Sequence, residues 1–446
     1  MRQTSLYGHV AELLDLVLAS RQPADGIVRD FYRSRHYLGA RDRRFISDLL
    51  FSILRHYLRL DRICARALAE ARPLATFGAI PPIAYLIAHE VNVEGGSAES
   101  LLPDLAGLWR TATPDIEPAI FLKVLEGITI PAPDLEDPVE RTSLEHSIPL
   151  EIVREWFERF GEQETVELCR ASNGRPPTTL RVNTLRNSVE ECAAALEREG
   201  VPACRTPYSP VGLSLEKRVN LQSLRVYREG CCELQDEGSQ LIGYLVGSRP
   251  GGVVVDACAG GGGKSLHIAA RMENTGSILA LDTEQRRLRN LYPRLNRNGV
   301  TIVRGALVSE SASLLDELHG KADAVLIDAP CSGVGTFRRN PGAKRTFSRE
   351  ASEHFGKIQS RLLEEYARLV RPGGRLVYST CTLLRGENEV PVRSFLAAAP
   401  EFSLLPASDA LREAGIFMEM SGEMMLLLPH RTGTDGFFAA VMVRQA

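Results

Sequence analysis

Two cysteines stand where a thiol can react. One follows Ala324-Val325-Leu326-Ile327-Asp328 as Ala329-Pro330-Cys331-Ser332-Gly333; the other follows Arg375-Leu376-Val377-Tyr378-Ser379 as Thr380-Cys381-Thr382. Each apolar run reads as a strand, and in open α/β sheets ligand chemistry gathers just beyond the carboxyl ends of the strands. A lone cysteine is ordinarily an inert, small core residue. A pair, each just past a strand, argues for reacting thiols instead. A thiolate can add to an electron-poor carbon and leave again, dividing one hard step into easier ones. That chemistry needs the deprotonated form, so a depressed pKa is expected beside a cationic ligand. Asp328, in the turn that carries Cys331, is placed to act as an acid on the substrate.

What the thiols would act on depends on the ligand beside them. Val253-Val254-Val255-Asp256 reads as a strand, and Ala257-Cys258-Ala259-Gly260-Gly261-Gly262-Gly263-Lys264-Ser265 follows it and opens a helix. Such a glycine-rich turn lets a ligand approach the backbone. A P-loop would require glycine five residues before Gly263, and Cys258 is there, so the Walker pattern fails. Asp282 ends the next strand, where a carboxylate can hold two ribose hydroxyls. Alone, the loop leaves a nucleotide and S-adenosylmethionine equally open. The thiol pair favours the methyl donor. Carbon 5 of cytosine is too poor a nucleophile to take a methyl group unaided, and a thiolate on carbon 6 makes it enamine-like.

The elements that must position these residues alternate in type from Val253 onward. Strands are expected at Val253–Asp256, Ser277–Leu281, Ile302–Arg304, Ala324–Asp328 and Arg375–Ser379, with helices between them at Thr283–Asn298 and Glu350–Val370. That pattern predicts an α/β, doubly wound, Rossmann-like parallel sheet. Met424–Leu428 and Phe437–Val443, with Asp435-Gly436 between, predict an antiparallel hairpin at its edge. The catalytic domain is placed at 236–446. A small α+β module is expected over 150–235, from a helix at Leu150–Ala171, a strand at Thr178–Val182 and a helix at Val189–Gly200. Pro131, Pro133 and Pro138 among Asp134, Glu136, Asp137 and Glu140 predict a semi-rigid linker over 131–149.

Residues 1–130 read as an all-α domain. Phe45, Leu49, Ile53 and Tyr57 fall on one face of a helix over 42–60. Arg29, Arg33, Arg35, Arg41, Arg43, Arg44, Arg55, Arg59, Arg62 and Arg66 crowd the same region. They are either a solvated helix surface or a phosphate-contacting one.

The 446 residues exceed one compact core, and 44% hydrophobic with 24% charged residues is ordinary for a globular chain. A net charge of -3 means that any nucleic-acid surface is a local patch. The amino terminus lacks the uncharged apolar core of a secretory signal, and the run Leu74–Ala88 is short for a bilayer and carries Pro81-Pro82. Nine scattered cysteines lack zinc-site or disulfide-scaffold spacing. No metal and no membrane are expected; a reducing cytoplasm is.

Asp256-Ala-Cys-Ala-Gly-Gly-Gly-Gly-Lys264, Asp328-Ala-Pro-Cys331-Ser-Gly and Ser379-Thr-Cys381-Thr with Glu387-Asn388-Glu389 closely resemble the Sun/RsmB family of RNA 5-methylcytosine methyltransferases. Leu180-Arg181-Val182-Asn183-Thr184-Leu185 and Leu234-Gln235-Asp236-Glu237-Gly238-Ser239-Gln240 look like that family's RRM-like module and its junction to the catalytic domain. Ala40-Arg41-Asp42-Arg43-Arg44-Phe45 is similar to a NusB-like RNA-binding domain. The resemblance implies S-adenosylmethionine as cofactor, a monomer, and RNA as partner, ribosomal RNA of the small subunit by domain order. It implies Cys381 as nucleophile, Cys331 assisting product release and Asp328 contacting the base; residue chemistry alone leaves the two thiols' roles open. The cofactor surface it implies comprises Asp256, Cys258, Ala259, Gly260, Gly261, Gly262, Gly263, Lys264, Asp282, Arg287 and Asp328.

The sequence departs from the family at Gly260-Gly261, where Ala-Pro is usual, and at Gly305-Ala306, where a Gly-Asp normally reaches the adenine amino group. Phe337-Arg338-Arg339-Asn340-Pro341-Gly342-Ala343-Lys344-Arg345 is read as a clamp on the RNA backbone, or else as a solvated loop. His267 reads as a packing or helix-surface residue and Cys231-Cys232 as structural. The competing functions are a DNA cytosine methyltransferase, whose Pro-Cys thiol is the nucleophile and which lacks the second Thr-Cys, a P-loop NTPase, a tRNA-directed cytosine methyltransferase, and a non-catalytic NusB-like RNA-binding factor.

Overall fold

A computed structural model describes residues 2–71, 79–113, 115–128, 130, 135–217 and 219–446. Pro73, Pro131, Pro133 and Asp134, read above as breaks and linker, lie outside them, as does part of the run 74–88. The chain forms two compact units.

The first unit comprises Met1–Arg175 and Phe337–Phe347. Its described residues form helices throughout, and their apolar stripes meet in one core that includes Val10, Leu14, Ile46, Leu50, Leu60, Leu86 and Trp109. The helix expected over 42–60 is two helices, Ala40–Arg55 and Tyr57–Ala71, broken at His56. Ile46, Leu49, Leu50, Ile53 and Leu54 make the buried stripe of the first, with Phe45 and Tyr57 at its margin. Part of the expected linker is helical too, over Pro138–His146: Pro138 opens the helix, and Asp137 caps it by accepting from the Val139 N–H at 2.9 Å. The helices Leu150–Phe160 and Glu162–Asn173 follow, split at Gly161 with φ 82°.

Residues 337–347 are the unexpected part of the unit, and they correct the reading of this segment as a solvated loop. Phe337, Arg338 and Lys344 are buried. Lys344 donates to the Arg55 carbonyl at 3.0 Å and to Asn173 Oδ1, and Arg345 donates to the carbonyls of Val17 (3.0 Å) and Ser20. These carbonyls lie at helix carboxyl termini, where unpaired oxygens and the helix dipole attract cations.

The second unit comprises Pro176–Thr336 and Ser348–Ala446. Its smaller sheet holds β1 (Thr178–Val182), β2 (Ala203–Arg205), β3 (Gly212–Leu215) and β4 (Cys232–Leu234), antiparallel in the order β2-β3-β1-β4. The helix Val189–Arg198 packs on it, started by a capping box of Ser188 and Glu191.

The larger sheet holds β5 (Val253–Asp256), β6 (Ser277–Asp282), β7 (Val303–Leu307), β8 (Ala322–Asp328), β9 (Val370–Thr380), β10 (Phe402–Leu405), β11 (Met425–Leu427) and β12 (Phe437–Arg444). Its order is β10-β12-β9-β8-β5-β6-β7, with β11 paired to β12. β5 to β9 are parallel, as their unbroken apolar runs predict for strands covered on both faces. The two faces carry separate apolar layers, one around Leu266, Leu288 and Leu291, the other around Leu363, Tyr366 and Leu376. β11 and β12 pair antiparallel as expected, but β12 lies inside the sheet, between β9 and the short, unforeseen β10.

Candidate active site

The order of the larger sheet reverses at β5, which has β6 on one side and β8 on the other. Crevices at such switch points hold ligands. A cavity of about 250 Å³ opens there, lined among others by Asp236, Asp256, Cys258, Ala259, Gly263, Lys264 and Asp328. The glycine turn after β5 is shaped by its neighbours. Gly260 has φ 56° and donates its N–H to Asp282 Oδ2 at 2.9 Å. Gly262, at φ 79°, lies so close to Leu291 that a β-carbon would clash. Arg294 donates to the Gly261 carbonyl at 2.6 Å, which braces a turn that lacks the family's proline.

Four carboxylates surround this turn. Asp256 is fully buried, and burial pushes its pKa up to about 6; Oδ2 accepts from Ser265 while Oδ1 has no partner among the described residues. Asp282 accepts from the N–H groups of Gly260 and Glu284. Asp328 accepts from Lys264 Nζ at 2.6 Å and from Ser379 Oγ at 2.9 Å, so it is the anion of an ion pair. Burial alone would lower the pKa of Lys264, but the Asp328 carboxylate outweighs it and raises the value. Asp236 also lines the cavity. Cys258 is held as a thiol by burial and by the carboxylates of Asp256, Asp328 and Asp282. Arg287 is set apart from the cavity lining: half-exposed, it pairs with Glu284 at 2.8 Å and reaches Asp282 only at 3.8 Å. Ala306 pairs with Leu281 on β6 and packs in an apolar layer, so its side chain offers no acceptor to an adenine.

The two thiols meet beside this cavity. Cys331 follows β8, Cys381 follows β9, and their sulfurs are 3.4 Å apart. Both are partly accessible. The hydrogen bond to Cys381 raises the pKa of Cys331 well above the ordinary thiol value, with burial adding to it. Either sulfur can be the donor in this contact.

A frame that the sequence reading left without a role fixes this contact. Ser332 Oγ bonds Thr382 Oγ1 at 2.9 Å, joining the two loops. Asn388, fully buried, accepts from Thr380 Oγ1 at 2.6 Å and donates to the Thr382 carbonyl at 3.0 Å, gripping both neighbours of Cys381. Glu387, also fully buried, accepts from the Ser332 N–H next to Cys331. Gln359 donates to the Pro330 carbonyl at 2.9 Å. The Gly335 N–H donates to the Cys381 carbonyl, and Gly335 and Gly436 approach too closely for either to carry a β-carbon. The signal for this frame was the Glu387-Asn388-Glu389 motif. His267 is buried against Tyr244, a packing residue. All nine cysteines are free thiols. Among the described residues there is no cluster of three metal-ligating side chains, and no helix is long and apolar enough to cross a membrane.

Comparison with known proteins decides what this geometry belongs to. A family model described as 16S rRNA methyltransferase RsmB/F matches residues 244–443, and one described as an RsmF/B-like ferredoxin-like domain matches residues 149–222. A probable ribosomal RNA small subunit methyltransferase B of Bacillus subtilis (strain 168) is 34% identical over 309 residues, 69% of each chain. The chain belongs to the RsmB/F methyltransferase family. A probable protein of the same name from Synechocystis is 29% identical over 95% of this chain and 99% of its own. The crystal structure of PH0851 matches with a TM-score of 0.79 at 26% identity, covering 100% of this chain and 99% of that one.

This family consists of RNA methyltransferases dependent on S-adenosylmethionine, which is the cofactor here. The residues at the switch point fit it. The cofactor's ammonium and sulfonium are cationic, and the cavity is walled by carboxylates, one of which has a buried oxygen without a partner. Asp282 ends β6 beside the glycine turn, where a ribose diol needs an acceptor.

Proposed function

We propose that this chain methylates carbon 5 of a cytosine in small-subunit ribosomal RNA, with Cys381 as the nucleophile. The 3.4 Å contact between Cys331 and Cys381, in the loops after β8 and β9 and three residues beyond Asp328 of the carboxylate-walled cavity, is the observation that carries this reading. Two thiols in contact suit a reaction in which one forms a covalent bond and the other assists its departure. The names of the relatives from Bacillus subtilis and Synechocystis favour ribosomal RNA over transfer RNA.

The target base leaves its stack to reach the cavity. S-adenosylmethionine supplies an electrophilic methyl group. The Cys381 thiolate forms a bond from Sγ to carbon 6, and the π electrons of the C5–C6 bond move to carbon 5, which would take the methyl group as the bond between that methyl and the cofactor's sulfur breaks and S-adenosylhomocysteine leaves. Asp328 contacts the base edge. Its bound Lys264 sets a cation beside the ring where negative charge gathers, a change from the reading of Asp328 as the acid itself. A base then removes the carbon 5 proton, the S–C6 bond breaks, and the double bond returns. The departing thiolate of Cys381 accepts a hydrogen bond from the Cys331 S–H. Asp282 holds the ribose, and Asp256 with the turn from Cys258 to Lys264 holds the methionine end.

In the first unit, residues 1–130 are assigned to contact with RNA. Several of their arginines spend their charge within the unit: Arg35 pairs with Glu12 and covers Phe31, and Arg33, Arg44 and Arg66 make exposed ion pairs. Arg41 and Arg62 are exposed and are the arginines assigned to phosphate contact. A cytoplasmic monomer with free thiols is the assigned state.

Bisulfite sequencing of ribosomal RNA from a strain lacking the gene tests this function. One protected cytosine of the small-subunit RNA should become convertible, and the intact gene should restore its protection. An unchanged pattern would refute the substrate assignment.

A further inference from the structure

Glu387 is a fully buried carboxylate whose oxygens accept from neutral donors. Oε2 accepts from the Ser332 N–H at 2.8 Å and from Gln359 Nε2 at 3.2 Å, and Oε1 accepts from Ser352 Oγ at 2.6 Å. Its backbone carbonyl accepts from the Tyr378 hydroxyl. No cation pairs with it among the described residues. A charge satisfied by dipoles alone keeps much of its field in a low-dielectric interior, and the residue next to its Ser332 contact is Cys331. The other thiol has the opposite neighbour, for the Lys264 ammonium interacts electrostatically with Cys381. The titratable groups that face Cys331 are thus Cys381, Glu387 and Tyr378, with the Asp328–Lys264 pair at the end of the same strand.

We propose that Glu387 is a positioning residue that keeps Cys331 as the proton-bearing thiol of the pair, leaving Cys381 as the one that attacks. This rests on the covalent reading above. The sequence frame alone treats the two sulfurs alike; the buried anion on one side and the ammonium on the other make them different. The same carboxylate grips the Ser332 amide, so it sets the orientation of Cys331 together with its charge state.

Alkylation of the full-length protein by iodoacetamide, followed at each cysteine peptide by mass spectrometry between about pH 6 and 10, tests this. Cys381 should react at lower pH than Cys331. Glu387→Gln, which removes the charge and keeps the shape, should move the Cys331 profile down by about one pH unit, roughly a tenfold faster reaction below its midpoint. Glu387→Asp should retain the native order. A Cys331 profile identical in Glu387→Gln and the native protein would overturn the proposal. So would a native protein in which Cys331 reacts at or below the pH of Cys381, which needs no variant to fold. No RNA or cofactor enters the measurement, so a failed substrate assignment leaves this result intact.

Discussion

Asp282 carries two duties with one carboxylate. It accepts from the Gly260 N–H, which fixes the glycine turn, and it is the acceptor assigned to the ribose. Asp282→Ala should weaken S-adenosylmethionine binding by about 1–3 kcal/mol, the loss typical of hydrogen bonds to a charged group. Calorimetry giving the native affinity would remove Asp282 from the site. This residue was legible because a strand end and a following acid are adjacent in sequence. The same holds for Cys331 and Cys381, whose strand-end positions could be read directly. Their division of roles could not, since it depends on what faces each sulfur. Glu387 meets Ser332 across 55 residues of chain, and only folding brings the two together. Ala306 shows the opposite case: its missing carboxylate was visible in the sequence, and the strand geometry leaves that gap unfilled.

Among the elements, the segment 337–347 departs most from what its composition suggests. Arginine, lysine, asparagine, proline and glycine read as exposed loop, yet Lys344 is buried and bound to the end of the helix Ala40–Arg55. Burial, with help from Arg55, lowers its pKa from the ordinary 10.5 to about 7. The unfolded chain therefore holds that proton more tightly than the folded one between these values, and stability should rise as pH increases through that window. Lys344→Met should flatten the rise. Denaturation midpoints measured from about pH 7 to 10 would show it, and parallel slopes in both proteins would mean that Lys344 is not buried in its neutral form. The strands β5, β6, β8 and β9 were legible because strands covered on both faces are continuous apolar runs. β10 was not: Phe402–Leu405 is four residues long and takes its register from β12, a partner far along the chain.

At the scale of the whole molecule, the order of the fold is not the order of the chain. The first unit takes in residues 337–347 from between β8 and β9. Composition locates prolines and charges, but it does not say which core an amphipathic helix will join. The class of the fold, a doubly wound sheet with an α+β module and a helical region, was readable because hydrophobic period changes from helix to strand along the sequence. The proposed reaction, by contrast, would draw on residues from the ends of β5, β6, β8 and β9 at once. Its central claim, that Cys381 bonds to the cytosine and Cys331 assists release, is tested most directly by denaturing gels of the full-length protein with labelled RNA and cofactor. Cys331→Ala should attack and stall, giving a shifted protein–RNA band, whereas Cys381→Ala and the double variant should give none. A band in Cys381→Ala that is absent in Cys331→Ala would invert the roles, and full methylation by both single variants would contradict covalent catalysis altogether.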